Sequence, residues 1–187
     1  MGIHGNATCV INLDGATGWM VGPPNKGLTA MFVMMNSGRL GVGMQSLGLA
    51  EFAYQNSLAY AKERLQSRSL TGPKLKDKAA DPIIVHPDVR RMLMTLKVVS
   101  ECVRALCVRI AYWHDLIEVS TDEKEKARLH RRAELLIPIL KAHVTDLGFE
   151  MAVTAVQVYG GYGYIGEYPV EQLVRDAKIQ SIYEGTN

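Results

Sequence analysis

The chain has 187 residues, of which 48% are hydrophobic and 21% charged, and its formal net charge is +2. This composition is ordinary for a chain that buries a core, and the small net charge gives no indication of a nucleic-acid or other polyanionic partner. No run of about 18 apolar residues is free of charge, so we expect no transmembrane helix. The sparse cysteines fit a reducing, cytoplasmic location, and the histidines lack metal-ligand spacing, so we expect no metal site.

The first 28 residues differ from everything after them. Residues 7–13 are rich in β-formers and precede an Asp14-Gly15 turn signal, and residues 18–22 predict a second short strand. Two strands cannot bury a sheet face alone. We therefore interpret residues 1–28 as the tail of a β-domain and residues 29–187 as a helical domain.

From Leu28 to Gln66, apolar residues recur at helical spacing and predict a first long helix. Its first half contains several glycines, each of which costs roughly 1 kcal/mol relative to alanine in a helix. These glycines indicate close approach by another helix or a flat ligand, or an irregular helix start. They are Gly38, Gly41, Gly43 and Gly48.

Two more long helices are predicted after the loop Ser67–Val85. The second begins after Pro87, and its interleaved arginines and lysines indicate a solvated basic face. Residues 120–123, Ser-Thr-Asp-Glu, have the pattern of a helix N-cap followed by acids. We expect Pro138 to kink this third helix, because the apolar stripe continues beyond it.

The C-terminal residues 157–187 carry the most informative pattern. Gly160 and Gly161 end the third helix, and Pro169 begins a short fourth one. Glu184 follows in a turn, where composition alone fits either a surface turn or a carboxylate held for chemistry. The elements together predict a mainly α fold, a four-helix bundle with a short N-terminal β remnant.

Residues 161–166, Gly-x-Gly-x-x-Gly, match the sequence pattern of a dinucleotide-binding motif. That motif requires a strand before it and a helix opening at its third glycine. Here a helix precedes it, so we reject a nicotinamide-binding Rossmann fold.

Four sub-motifs follow one another at the C-terminal end: Gly-Gly-x-Gly-Tyr, Glu-Tyr-Pro-Val-Glu, Arg-Asp-Ala-Lys-Ile and Ile-Tyr-Glu-Gly-Thr-Asn. In this order and spacing they resemble the C-terminal signature of the acyl-CoA dehydrogenases, a flavin-dependent family. Near the N-terminus, Gly-Ile-x-Gly-x-x-Thr-Cys resembles the end of that family's middle β-domain. The resemblance covers essentially the whole chain but only part of the family's protein, so we expect the isolated chain to be inactive.

The resemblance implies α,β-dehydrogenation of an acyl-CoA thioester. Glu184 would be the catalytic base that takes the α-proton, while hydride leaves the β-carbon for FAD. Its neighbours Tyr183 and Gly185 would lie beside the substrate.

On the first helix, Asn36 and Arg39 match substrate-side positions, although the family commonly has an acid where Asn36 stands. Some members place the base at the position of Gly38 instead. No Asp or Glu occurs from residue 28 to residue 50, which leaves Glu184 as the candidate base.

The same resemblance implies FAD-binding residues. Arg64 and Gln66 match the segment that reaches the pyrophosphate, with Gln66 in place of a hydroxyl donor. His86 matches a polar flavin contact, although Pro87 after it has no N–H to donate. The remaining matches, on the adenosine and flavin sides, are Gln157, Val158, Tyr159, Gly160, Gly161, Thr186 and Asn187.

The implied partners are the acyl-CoA substrate, an electron-transfer flavoprotein as electron acceptor, and further copies of the chain in a dimer or dimer of dimers. In such an assembly, Arg64 and Gln157 would serve a neighbour's flavin. The long loop and the His-Pro-Asp-Val-Arg-Arg sequence after it resemble the larger bacterial members, including those acting on 3-methylmercaptopropionyl-CoA. Two alternatives stay open: an acyl-CoA oxidase, or a relative without dehydrogenase activity that serves as an assembly or nucleic-acid-binding module.

Overall fold

The computed structural model of the protein describes residues 1–185 and 187. Its four α-helices are α1 (Gly27–Glu63), α2 (Pro87–Val119), α3 (Glu123–Tyr159) and α4 (Val170–Ala177). Short 3-10 helices lie at Ile83–Val85, Gly160–Tyr164 and Lys178–Ser181. The predicted mainly α, four-helix architecture is therefore confirmed. In this described part of the chain, no helix combines the length and hydropathy needed to cross a bilayer.

The core consists of two neighbouring apolar clusters. One joins the second half of α1, the start of α2, the end of α3 and α4. The other joins Leu47 of α1 to the second half of α2 and the first half of α3. These contacts show that α1 and α3 run parallel to each other and that α2 runs antiparallel to both. The C-terminal ends of α1 and α3 therefore lie together at one end of the bundle, and their N-terminal ends lie at the other.

The helix boundaries follow local signals in the sequence. Pro87 occupies the first turn of α2, where its missing N–H is not needed. The Asp122 carboxylate caps α3 by accepting the backbone N–H groups of Lys124 (2.9 Å) and Glu125 (3.4 Å). Pro138 lies inside α3 without ending it, and Gly160 ends α3 with a φ of +61°.

The N-terminal segment differs from the prediction. Neither residues 7–13 nor residues 18–22 form a strand, and the one β-bridge in the described chain joins Leu65 to Pro82. The reason is that two short segments without further strands cannot bury a sheet face, and Val10 and Val21 are 98% and 97% exposed. That residues 1–28 are the tail of a β-domain stays a prediction.

Some of the α1 glycines lie at close contacts and others do not. A Cβ on Gly43 would overlap Cδ2 of Leu140 in α3, so the close-approach interpretation holds there. A Cβ on Gly41 or Gly48 would meet nothing within 4 Å. Close helix contact therefore accounts for only part of the glycine content of α1.

The loop after α1 is closed by backbone pairing between its two ends. Gln66 N–H donates to the Asp81 carbonyl, and Asp81 N–H donates to the Ser67 carbonyl, both at 2.9 Å. These bonds return the chain beside the end of α1 before α2 begins. The path of the loop, which sequence reasoning left open, is thus that of a closed surface loop.

The buried carboxylate of Asp81 organises this loop. It accepts hydrogen bonds from the backbone N–H groups of Ser69 (2.9 Å), Lys74 (2.8 Å) and Leu75 (2.8 Å), and from the Arg68 guanidinium at 3.3 Å. The N–H of Ser69 makes the largest contribution to lowering the pKa of Asp81 to about 2, against the opposing effect of burial. The loop therefore has a polar core that depends on an ionised carboxylate.

Candidate active site and cofactor groove

Glu184 has an unusual backbone conformation. Its φ is +60° and that of Gly185 is +98°, so two successive residues of the last turn are left-handed. For a residue other than glycine this conformation costs about 1–3 kcal/mol and persists only where the surroundings hold it. Arg39 of α1 supplies one such contact, because its Nε donates to the Glu184 carbonyl oxygen at 3.1 Å.

Gly185 meets two requirements at once. Its positive φ favours glycine, and a Cβ at this position would lie 3.2 Å from Nη2 of Arg39. The arginine side chain therefore packs directly beneath the turn that carries Glu184. A side chain at position 185 would press against that arginine.

The half-buried Glu184 side chain lies against α1 at Gly38. A Cβ on Gly38 would lie 3.1 Å from Oε2 of Glu184. Asn36 is three residues before Arg39 and therefore on the same side of α1. The structure thus brings Glu184, Gly185 and Arg39 together and places Asn36 on the adjoining part of that helix face.

Lys141 of α3 is a site residue that sequence reasoning missed. Its side chain is buried, and its Nζ donates to the Gly185 carbonyl oxygen at 2.5 Å and to Oδ1 of Asn187 at 3.0 Å. Asn187 in turn donates to the Ala142 carbonyl at 2.9 Å. Thr186, between them, lies outside the described residues. The available signal was a lysine on the apolar stripe of α3, next to Leu140 and before Val144.

Tyr183, the residue before Glu184, is connected to α1 through a side-chain hydrogen bond. Its hydroxyl donates to Oε1 of Gln45 at 2.6 Å, a contact that the sequence did not reveal. Burial raises the pKa of Tyr183, and the negative charge of Glu184 adds to this effect. Tyr183 is therefore a neutral donor at physiological pH that fixes the turn from beside the carboxylate.

The predicted FAD-binding residues at the far end of α1 line one groove. Arg64, Gln66 and His86 face the segment Gln157–Gly160 across a cavity of about 540 Å³, and Gly161 lines its continuation. The His86 Nε2 lies 2.8 Å from the Gln66 carbonyl oxygen. The positions that the resemblance marked separately, just after α1, just before α2 and at the end of α3, are thus adjacent in space.

Tyrosines form one wall of this groove, and sequence reasoning selected Tyr159 among them but not Tyr60 or Tyr162. The rings of Tyr60 and Tyr159 stack with centroids 4.1 Å apart, and the Arg64 guanidinium lies 5.2 Å from the Tyr162 ring centroid. A Cβ on Gly160 or Gly161 would meet nothing within 4 Å, so their backbone is open to a ligand. The helical spacing of Tyr60 and Arg64, four residues apart, was the available signal.

The Glu184 turn and the groove lie at opposite ends of the bundle. Arg39 contacts the turn and Arg64 lines the groove, and α1 runs between them. At a rise of about 1.5 Å per residue, this separation is about 37 Å along the helix. A single chain therefore presents two distant sites.

Comparisons with known proteins match the chain and its fold to one family. The family profile described as acyl-CoA dehydrogenase, C-terminal domain, matches residues 25–187. The 3-methylmercaptopropionyl-CoA dehydrogenase of Ruegeria pomeroyi is 44% identical over 186 residues, which are 100% of this chain and 31% of that protein. Butyryl-CoA dehydrogenase from Megasphaera elsdenii has a structure that matches with a TM-score of 0.68 and 32% identity, over 89% of this chain and 37% of that one.

A structure of acyl-CoA dehydrogenase complexed with FAD from Bacillus anthracis shares the fold, with a TM-score of 0.69 at 24% identity. That match covers 87% of this chain and 27% of the other. The chain thus spans about a third of the length of these relatives. It belongs to the acyl-CoA dehydrogenase family and corresponds to the C-terminal helical domain of its members.

Proposed function

We propose that the chain is the C-terminal part of a flavin-dependent acyl-CoA dehydrogenase, in which Glu184 takes the α-proton of an acyl-CoA thioester. The observation that carries this proposal is the strained Glu184 turn, whose carbonyl is held by Arg39 and whose carboxylate faces the bare backbone of Gly38. Because the chain spans about a third of its relatives' length, the activity is that of a larger protein, and we expect the isolated chain to be inactive.

The turn provides what proton abstraction needs. A half-buried carboxylate is a general base with a fixed direction, and the missing side chain at Gly38 leaves space beside Oε2 for the substrate carbon. We propose that the Glu184 N–H also donates to the thioester oxygen and so favours the charge that develops there. FAD, when bound, would accept the hydride from the β-carbon.

The groove at the other end of α1 fits the adenosine and pyrophosphate half of FAD. Arg64 supplies a cation for the pyrophosphate, and the exposed backbone of Gly160 and Gly161 allows close approach. The stacked pair of Tyr60 and Tyr159 forms a wall of aromatic surface beside it. We therefore propose that this groove binds FAD through charge and backbone contacts.

The distance between the two sites supports an oligomer. The separation of about 37 Å along α1 exceeds the length of an extended FAD molecule, so one cofactor cannot contact both sites of one chain. We propose that each FAD lies between chains, with the Glu184 turn of one and the Arg64 groove of another, in a dimer or dimer of dimers.

The replacement Glu184→Gln in the full-length protein that contains these residues tests the proposal. The amide keeps the size of the side chain but cannot take a proton, so flavin content should persist while substrate-dependent flavin bleaching slows by about 100- to 10,000-fold. The matched control is Glu134→Gln, at an exposed position of α3, which should leave the rate unchanged. Bleaching of Glu184→Gln at the wild-type rate would refute the assignment of the base.

The electron acceptor and the acyl group are separate questions. We propose an electron-transfer flavoprotein as acceptor, and rapid oxygen consumption without an acceptor protein would instead identify an oxidase. The 44% identity to a 3-methylmercaptopropionyl-CoA dehydrogenase supports including that thioester in a panel with straight-chain acyl-CoA substrates. The ratio of kcat/KM values across the panel would define the substrate.

A further inference from the structure

Lys141 is a charged residue in an apolar setting. Only 3% of its surface is exposed, and it lies on α3 between the core residues Leu140 and Val144. A buried ammonium group is costly unless its N–H donors are satisfied. Its donors here go to Gly185 and Asn187, both in the C-terminal turn.

The carbonyl groups of two successive residues in this turn are held by cations from two different helices. Arg39 of α1 donates to the carbonyl of Glu184, and Lys141 of α3 donates to the carbonyl of Gly185. Both of these turn residues have positive φ angles. The left-handed backbone that orients the Glu184 carboxylate is thus held by hydrogen bonds from both α1 and α3.

We propose that Lys141 is a positioning residue, which fixes the direction of the Glu184 carboxylate through the carbonyl of Gly185. This inference rests on the proposed function, because it assigns Lys141 a role in proton abstraction by Glu184. Lys141 itself would touch neither substrate nor FAD. Loss of its ammonium group would leave Arg39 as the cation on this part of the backbone and allow the turn to relax.

Electrostatic effects agree with this arrangement. Burial and then the positive charge of Arg39 lower the pKa of Lys141, while Asp146 and Glu184 act in the opposite direction. The carboxylate of Glu184 therefore favours the charged form of Lys141, in addition to the connection through the Gly185 backbone. A neutral side chain of similar length would remove both connections.

The variant Lys141→Met in the full-length protein tests this inference. Methionine keeps an unbranched side chain in the core but removes the charge and the N–H donors. Rapid-mixing measurements of anaerobic flavin bleaching give the limiting rate and the apparent Kd for acyl-CoA separately. We expect the limiting rate to fall by about 10- to 100-fold, as for a small misplacement of a reacting group, with the Kd and the flavin content largely unchanged.

A substrate deuterated at the α-carbon supplies a readout that a purely structural role would not change. If the Glu184 carboxylate is displaced, proton abstraction becomes slower relative to the other steps. The isotope effect on bleaching should therefore increase in Lys141→Met. The matched control is Lys124→Met, at an exposed position near the start of the same helix. It should retain both the wild-type rate and the wild-type isotope effect.

The outcomes separate this inference from the proposed function. If the wild-type protein did not bleach with any acyl-CoA, the proposed function would fail. If the wild type bleached and Lys141→Met bleached at the same limiting rate, or slowed only in proportion to lost flavin, the role of Lys141 would be refuted. If Lys141→Met did not fold, Lys141→Leu, which also lacks the charge and the N–H donors, would take its place under the same criteria.

Discussion

A Cβ atom on Gly38 would lie 3.1 Å from Oε2 of Glu184, so the start of α1 and the last turn of the chain face the same small space. Gly38 is the position from which some members of the family are expected to supply their base. The two positions that the resemblance offers for a base are therefore neighbours in this fold. Only one of them carries a carboxylate here.

Gly38→Ala should slow flavin reduction in the full-length protein. The added methyl group would crowd Oε2 of Glu184 and displace the carboxylate by a few tenths of an ångström, and we expect a loss of about 10-fold, because small misplacements of reacting groups are costly. Stopped-flow bleaching with saturating acyl-CoA measures this rate. Gly41→Ala, on the same helix with nothing within 4 Å of the added Cβ, is the control. Equal rates for the two variants would contradict the prediction.

Replacement of two other glycines by alanine should change the stability of the protein in opposite directions. A Cβ on Gly148 would lie 3.1 Å from Cβ and 3.3 Å from the backbone oxygen of Ser46, so Gly148→Ala should destabilise the protein by about 1–3 kcal/mol. A Cβ on Gly48 would meet nothing within 4 Å in the helix interior, so Gly48→Ala should stabilise it by about 0.5–1 kcal/mol. Urea unfolding measures both free energies. A stabilising Gly148→Ala would show that α1 and α3 are not closely packed there.

Asp81 should give the protein a pH-dependent stability. Its folded pKa of about 2 is below the value of about 3.9 for an unfolded aspartate, so its contribution is fully present above the unfolded value. That contribution is lost as the pH falls from about 4 to about 2. Asp81→Asn should therefore lower the Tm at pH 7. The difference in Tm between this variant and the wild type should become smaller below pH 4.

The control for this titration is Asp77→Asn, an exposed position in the same loop. Thermal unfolding followed by circular dichroism between pH 2 and pH 7 would give the two curves. A Tm difference between wild type and Asp81→Asn that stayed constant across this range would refute the role of the ionised carboxylate.

The isolated chain should self-associate. Large apolar side chains on α2 and α3 are exposed, among them Met94 (61%), Val108 (58%) and Leu135 (66%). Burial of such surface between copies is favourable, so the mass measured by light scattering should rise with concentration. Val108→Lys should weaken this association without unfolding the chain. A constant monomer mass at high concentration would contradict the prediction.

Local signals in the sequence determined the helices and their ends. Asp122, Pro87 and Gly160 act on backbone groups within a few residues, so their effects are visible without a fold. The position of Glu184 in a tight turn and its role as the proposed base came from the order of the C-terminal motifs. The prediction of two strands near the N-terminus was wrong, because a strand forms only with partner strands and the residues that the structure describes supply none.

Only the tertiary structure determined how the Glu184 turn is held. Lys141, Arg39 and Gln45 lie on two helices far from the turn in sequence, and each reaches it through one or two side-chain hydrogen bonds. Such contacts leave no periodic pattern, because they depend on where parallel helices place one side chain. The local sequence thus predicted a glycine-containing turn at Glu184. The orientation of the Glu184 carboxylate, in contrast, depends on the packing of α1 and α3 around that turn.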